Sequence, residues 1–240
     1  FTHGFHGIFH ICQHGIGGYA QRKGVDCFWD MHMNGHSITG LPSSVNLLDN
    51  SDFRNPVNQR GFVSGNSVAG WAYFIDRWQV YNATATVTLN ADGISCTGAI
   101  DQVVNNLGKL VGKTVTCAVG LSDGDIICGS GVITNNGGWA SIAYKTNGTT
   151  TITLYNTAVN KWAFVIQGAK NVAWAALYEG KYTAETLPDY NPKGYGVELI
   201  ECMRYYQKLG GGFIPLINNA NTIGSYLYRL SVNYPIAMRN

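Results

Sequence analysis

The stretch Val172–Leu209, VAWAALYEGKYTAETLPDYNPKGYGVELIECMRYYQKL, changes character twice. Val172–Leu177 is small and apolar around Trp174, the pattern of a buried strand. Pro188 and Pro192 then bracket a linker, since proline can neither join a sheet ladder nor continue a helix. From Val197 the period lengthens. Leu199, Cys202, Met203 and Tyr206 fall at i, i+3, i+4 and i+7, one apolar stripe of a helix predicted over 197–209. Gly210, Gly211 and Gly212 end it. The stretch therefore closes a β body and opens a tail.

Upstream, the period is two. Ala85–Leu89, Thr114–Val119 and Thr150–Tyr155 alternate small or apolar with polar residues, each predicting a strand with one buried face. Trp162–Ile166 and Val172–Leu177 are the last two strands. Asp123-Gly124, Asn136-Gly137 and Asn147-Gly148 supply turns. Asp30–Pro42 reads as a tight turn and a short strand ended by proline, and Asn46–Phe53 opens the body. Strands recurring between such turns mean a sandwich or a barrel.

Composition agrees with a β protein. Only 12% of the 240 residues are charged, with 30 glycines and 14 tyrosines. The net charge of +2 comes from scattered lysines, and no basic run suits a nucleic acid. No apolar run approaches the ~20 residues that span a membrane, and residues 1–40 lack a signal-peptide order. Cys12, Cys27, Cys96, Cys117, Cys128 and Cys202 show no CxxC and irregular spacing, so free thiols are expected over a disulfide framework.

All six histidines, His3, His6, His10, His14, His32 and His36, lie in the first 40 residues. The first four share one face of a hypothetical helix, which raises metal ligation. The interleaved glycines oppose that helix, and no acidic residue precedes Asp26 to support the ligands. An arm is therefore read here, with no metal and no cofactor. Ser122–Asp125 is read as a hairpin turn in preference to a calcium loop.

A catalytic set is equally hard to assemble. The histidines are remote from the body in sequence and no GxSxG occurs. Asp76, Asp92, Asp101, Asp123, Asp125, Glu179 and Glu185 offer carboxylates, but sequence alone brings no two to the ~5–9 Å that glycoside hydrolysis needs. The aromatics point to binding. Sugars present apolar faces to Trp and Tyr while polar side chains read their hydroxyls. The candidate glycan-binding residues are Trp139, Trp71, Tyr73 and Tyr144; Trp139 follows the Asn135–Gly138 loop and is the one most expected at the surface. Trp78, Trp162 and Trp174 alternate with apolar neighbours and are expected in the core.

Several segments resemble bacteriophage tail-fibre proteins. Asp30–Pro42 is similar to their shaft segment D-M-N-G-x-x-I-T-x-L-P. Asn46–Phe53, with Asp76-Arg77-Trp78, resembles the N-L-x-x-N-x-x-F and D-x-W strands of jelly rolls like carbohydrate-binding modules. Leu107–Thr116 looks like the strand entry of those modules, and Leu177–Thr186 resembles their L-E-x-G-x-x-A-T ending. Glu198–Lys208 matches E-L-x-x-C-x-R-Y-Y-x-K, and Pro235–Arg239 matches a closing P-x-x-M-R strand.

The expected architecture is all-β: an N-terminal arm or shaft junction at 1–40, a jelly-roll-like β-sandwich at 41–187, and a linker, short helix and short β tail at 188–240. The resemblance implies a non-enzymatic receptor-binding component of a fibre that recognises a bacterial surface glycan. It further implies a homotrimer, contact with other virion proteins, and a virion location after assembly in the host cytoplasm. Nucleic-acid binding and membrane insertion are not expected. The competing readings are a structural head-fibre or decoration protein, and a glycan-degrading fibre enzyme.

Overall fold

Residues 45–105, 107–208 and Ile236 are described by the computed structural model of the chain. Twelve strands form two antiparallel six-stranded sheets. The first, in spatial order, holds β1 (Ser67–Val68), β4 (Ala85–Asn90), β5 (Gly93–Cys96), β12 (Val172–Glu179), β7 (Thr114–Leu121) and β8 (Ile126–Val132). The second holds β2 (Tyr73–Ile75), β3 (Trp78–Val80), β6 (Ala99–Val104), β11 (Lys161–Gln167), β10 (Thr151–Ala158) and β9 (Ala140–Thr146). This is the all-β sandwich that the alternating segments predict.

The alternation works as a face selector. In β7, Val115, Cys117 and Val119 are fully buried and join the core, and in β10 Ile152 and Leu154 do the same. The core is anchored on aromatics. Trp78 meets Phe53 edge-on with ring centroids 4.9 Å apart and Phe164 at 6.3 Å. Asp123-Gly124 and Asn147-Gly148 make the β7–β8 and β9–β10 turns, with Gly124 and Gly148 at φ 96° and 91°. Asp123 accepts the Asp125 N–H at 3.1 Å, so the Ser122–Asp125 stretch is a hairpin turn.

The two sheets meet along the β8 and β9 edges. A methyl group at Gly131 would fall inside the shell of the Ile142 carbonyl oxygen, and one at Gly129 would lie 2.5 Å from that of Tyr144. Strand β8, rich in glycine, is not legible as a period-2 segment, because its glycines serve this close backbone approach.

The segment 46–53 pairs with the stretch of β12 that lies beyond its single β5 pair, Val172 with Ile94. Leu47 and Phe53 donate their N–H groups to Leu177 and Ala173, and Ala175 donates to Ser51. Asn50 then ties four pieces together. Its side chain accepts the Val57 N–H (2.7 Å) and donates to the carbonyls of Val57 (2.9 Å) and Asp76 (2.7 Å). Its own carbonyl accepts the Trp78 indole N–H at 2.8 Å. Its N–H donates to Glu198 of helix α1 (Tyr195–Met203) at 2.7 Å.

Trp174 corrects the expectation that it is a core residue. A bulge in the β7–β12 ladder between Val172 and Trp174 shifts the register by one residue, which swaps the faces. Val172, Ala175 and Leu177 enter the core, while Trp174 lies half-buried over Gly120. Tyr190 stacks on its other face with ring centroids 4.6 Å apart and planes 5° from parallel.

The predicted helix is shorter than its apolar stripe. It ends at Met203 because the next residues are captured by the sandwich. The Arg77 guanidinium lies 3.6 Å from the Tyr205 ring centroid, and that of Arg60 lies 4.0 Å from Tyr206. Cys202 is fully buried, and Leu199, Met203 and Tyr206 are half-buried, so the stripe packs on the sandwich. Cys96, Cys117, Cys128 and Cys202 form no disulfide. The arm at 1–40 with its six histidines, Cys12 and Cys27, and the β tail expected near 230–239, lie outside the described residues.

Candidate functional site

The residues that matter lie on the outer face of the second sheet. Its register sets Tyr73, Gln79, Asp101, Val165, Thr153 and Tyr144 side by side across all six strands. Their neighbours along each strand point to the core, so this row points outward. An outward row is normally wet, yet its middle is not. Asp101 is 1% exposed, Thr153 4%, Val165 5% and Gln79 7%.

The cover is aromatic. Trp71 and Tyr81 rise from the β2–β3 side of the sheet, and Trp139 and Tyr155 from the β9–β10 side. Tyr81 lies 5.0 Å from Trp71 and 5.8 Å from Trp139, and Tyr155 lies 6.0 Å from Trp139. The two indoles are 6.5 Å apart. Strands β3 and β10 are three spacings apart, about 14 Å. Side chains leaning in from both sides close that gap above β6 and β11, where Asp101 and Val165 sit. The arch remains open to solvent from above, with Trp71 49% and Trp139 45% exposed.

Local structure holds the two indoles in place. Both tryptophans have positive φ, 65° at Trp71 and 59° at Trp139. A bulky side chain rarely adopts this region, and the fold must impose it. For Trp71, the preceding Gly70 packs against the Asn82 backbone, and the Trp71 N–H donates to Val80 at 2.7 Å. For Trp139, the lead-in is Gly137-Gly138, also at positive φ (73° and 74°). Fully buried Asn156 accepts the Gly137 N–H at 2.6 Å and donates to the carbonyls of Ala158 and Lys161. The Trp162 indole donates to Thr134 at 2.9 Å, and Asn135 and Asn160 hydrogen-bond each other. Thus the Trp139 loop is pinned to the β10–β11 hairpin at three points.

The floor is polar at its centre. Gln79 donates to Asp101 Oδ2 at 3.0 Å. Asp101 Oδ1 has no hydrogen-bond partner among the described residues. Burial pushes the Asp101 carboxyl up to about 6, and the Gln79 hydrogen bond opposes that shift. Burial of the ring raises the Tyr81 phenol above its ordinary value, with smaller contributions from the neighbouring Tyr155 and Asp101.

All four sequence candidates fall on this face, but the structure gathers only two. Trp71 and Trp139 meet in the arch. Tyr73, 38% exposed, is at the opposite edge from Tyr144, 58% exposed. The Arg60 guanidinium already covers the Tyr73 ring at 4.7 Å. Tyr81, Tyr155 and Gln79 were not singled out from sequence, and Asp101 figured there only as one of seven carboxylates weighed for hydrolysis, not for binding. Tyr155 had a signal, since the alternation of Thr151, Thr153 and Tyr155 sets it on the polar face. The pairing of Asp101 with Gln79 had none, because strand register created it.

A second hollow of about 150 Å³ lies between α1 and the sandwich, lined by Asp49, Arg77, Val104, Glu201, Arg204 and Tyr205 among others. Its charges are largely spent on each other. Arg77 donates to Asp49 at 2.9 Å, and Lys193 bridges Glu201 at 2.5 Å and Asp49 at 3.9 Å. Among the described residues, no three His, Cys, Asp or Glu side chains gather to hold a metal, and no helix is long and apolar enough to cross a membrane. Comparison with protein-family models, curated proteins and solved structures finds no match for this chain.

Proposed function

We propose that this protein is a non-enzymatic carbohydrate-binding β-sandwich whose site is the aromatic arch of Trp71, Tyr81, Trp139 and Tyr155. One observation carries the reading: two half-exposed tryptophans are both forced into positive φ and meet over a buried polar floor. Hydrophobic burial alone does not account for indoles left this exposed at the expense of backbone strain. Aromatic faces beside recessed polar groups suit the apolar faces and hydroxyls of a sugar.

The setting proposed is the one the sequence resemblance implies: the receptor-binding part of a bacteriophage fibre, trimeric, carried on the virion and recognising a bacterial surface glycan. Binding is favoured over hydrolysis by the electrostatics of Asp101. Burial raises its carboxyl with the Gln79 amide as its hydrogen-bond partner, whereas the usual glycoside hydrolase sets a second carboxylate across the sugar from the first.

The test is a glycan array of bacterial surface polysaccharides probed with the wild-type chain and Trp139→Ala. Selective signal that Trp139→Ala loses supports the reading. No signal for any surface polymer sinks it, and release of soluble product from a bound polysaccharide replaces it with an enzyme.

A further inference from the structure

The most buried part of the arch site is its least apolar. Asp101 carries a carboxylate oxygen without a partner among the described residues, in a position 1% exposed. Such an atom is costly unless something completes it. Among the described residues no cation offsets the rise of its carboxyl, which burial drives and the Gln79 amide opposes. The backbone of the Trp139 loop is pinned, and the part of the roof with room around it is the Trp139 ring, 45% exposed. The Trp139 loop enters through Gly137 and Gly138, and space around Gly138 is open, with no atom within 4 Å of where a side chain would begin.

We propose that Asp101 and Gln79 are the specificity floor of the arch site, reading adjacent hydroxyls of a neutral sugar that enters as the Trp139 ring lifts. The proposal rests on the carbohydrate-binding reading above. Asp101 Oδ1 accepts one sugar O–H, and the Gln79 amide, which already donates to Oδ2, aligns the pair. The rings flank the sugar and exclude water, so the charged hydrogen bond forms in a dry setting where it is strongest. An acidic sugar is rejected. A uronate or sialate would bring a second negative charge against a buried carboxylate without a compensating cation, and like charges across a desolvated contact select against the wrong partner.

The experiment is calorimetric titration of the full chain at pH 7.5 with cellotetraose, maltotetraose and chitotetraose as neutral probes and tetragalacturonate as the acidic one. Wild type, Asp101→Asn and Trp139→Ala are compared. The expected result is binding of at least one neutral probe, tetragalacturonate at least tenfold weaker, and a loss of about tenfold or more in Asp101→Asn, the scale of a hydrogen bond to a charged group. Asn keeps the shape of Asp and a carbonyl for Gln79, and a melting temperature no lower than wild type verifies its fold. Unchanged neutral binding in Asp101→Asn, with binding lost in Trp139→Ala, overturns the floor and leaves the aromatic site standing. Equal binding of tetragalacturonate overturns the charge selection. Absence of binding to all four probes removes the inference, whereas the array result decides the broader reading separately.

Discussion

The indoles of Trp71 and Trp139 lie 6.5 Å apart although they enter from opposite sides of a six-stranded sheet, and both residues hold positive φ. The strain and the contact are two sides of one arrangement. An ordinary φ at either position would redirect its side chain and open the arch. This coupling separates the ring from the backbone in mutational tests.

At Trp139, the usual preference for alanine over glycine is expected to reverse. Both Trp139→Ala and Trp139→Gly remove the ring and are expected to abolish array signal. Glycine adopts φ 59° without steric cost, whereas alanine retains a penalty of ~1 kcal/mol. Trp139→Gly should therefore melt higher than Trp139→Ala in differential scanning calorimetry. Alanine melting higher would show that the turn relaxes freely and is not imposed.

Asp101 predicts a pH-dependent stability difference. Its folded carboxyl sits near 6, above the ordinary 3.8, so the folded state holds its proton more tightly than the unfolded chain. That makes its contribution unfavourable at pH 7, by about 3 kcal/mol for a shift of this size. The penalty shrinks as pH falls through 6 and disappears below the unfolded value. Asp101→Asn should raise the melting temperature by several degrees at pH 7.5 and by almost nothing near pH 4. An equal gain at both pH values would remove burial of the charge as the cause.

Asn50 is expected to be among the least replaceable polar residues in the described chain. Asn50→Ala leaves the Val57 N–H and the Asp76 carbonyl without their Asn50 partners, and the Val57 carbonyl with only the Asp76 N–H at 3.3 Å. Buried groups stranded in this way cost ~1–3 kcal/mol each. A loss of at least 3 kcal/mol in denaturant unfolding is expected, and a loss under 1 kcal/mol would refute the role of Asn50 as the tie between the Val57 loop and the Asp76 turn.

Gly131→Ala tests the closure of the sandwich edge. The new methyl must displace the Ile142 carbonyl, so β8 and β9 have to separate. Overpacking of this kind typically costs ~1–3 kcal/mol. Gly124→Ala, in a turn with open surroundings, loses only the φ advantage of glycine, ~1 kcal/mol. The Gly131 variant should be the less stable of the two by urea midpoint, and the opposite order would discount the edge contact.

Much of the fold is legible because it depends on local alternation. Thr114–Val119 and Thr150–Tyr155 announce their buried faces through residue type, and Asp123-Gly124 and Asn147-Gly148 announce their turns through backbone demand. Trp174 is misread for a reason equally physical. Alternation fixes which residues share a face only while the register holds, and the bulge after Val172 breaks it. The helix end is misread because Arg77 and Arg60, distant in sequence, capture Tyr205 and Tyr206.

By itself the sequence determined an all-β body, its turns, a short amphipathic helix and four aromatic candidates, because period, turn residues and aromatic content act over a few neighbouring positions. Only the tertiary structure decided that Trp71 and Trp139 share a roof, that Tyr73 is taken by Arg60, and that Asp101 and Gln79 lie beneath. Those outcomes depend on strand order and register between segments dozens of residues apart. No local pattern encodes which strand will lie beside which, so the site emerges only when β3, β6, β11 and β10 are laid side by side.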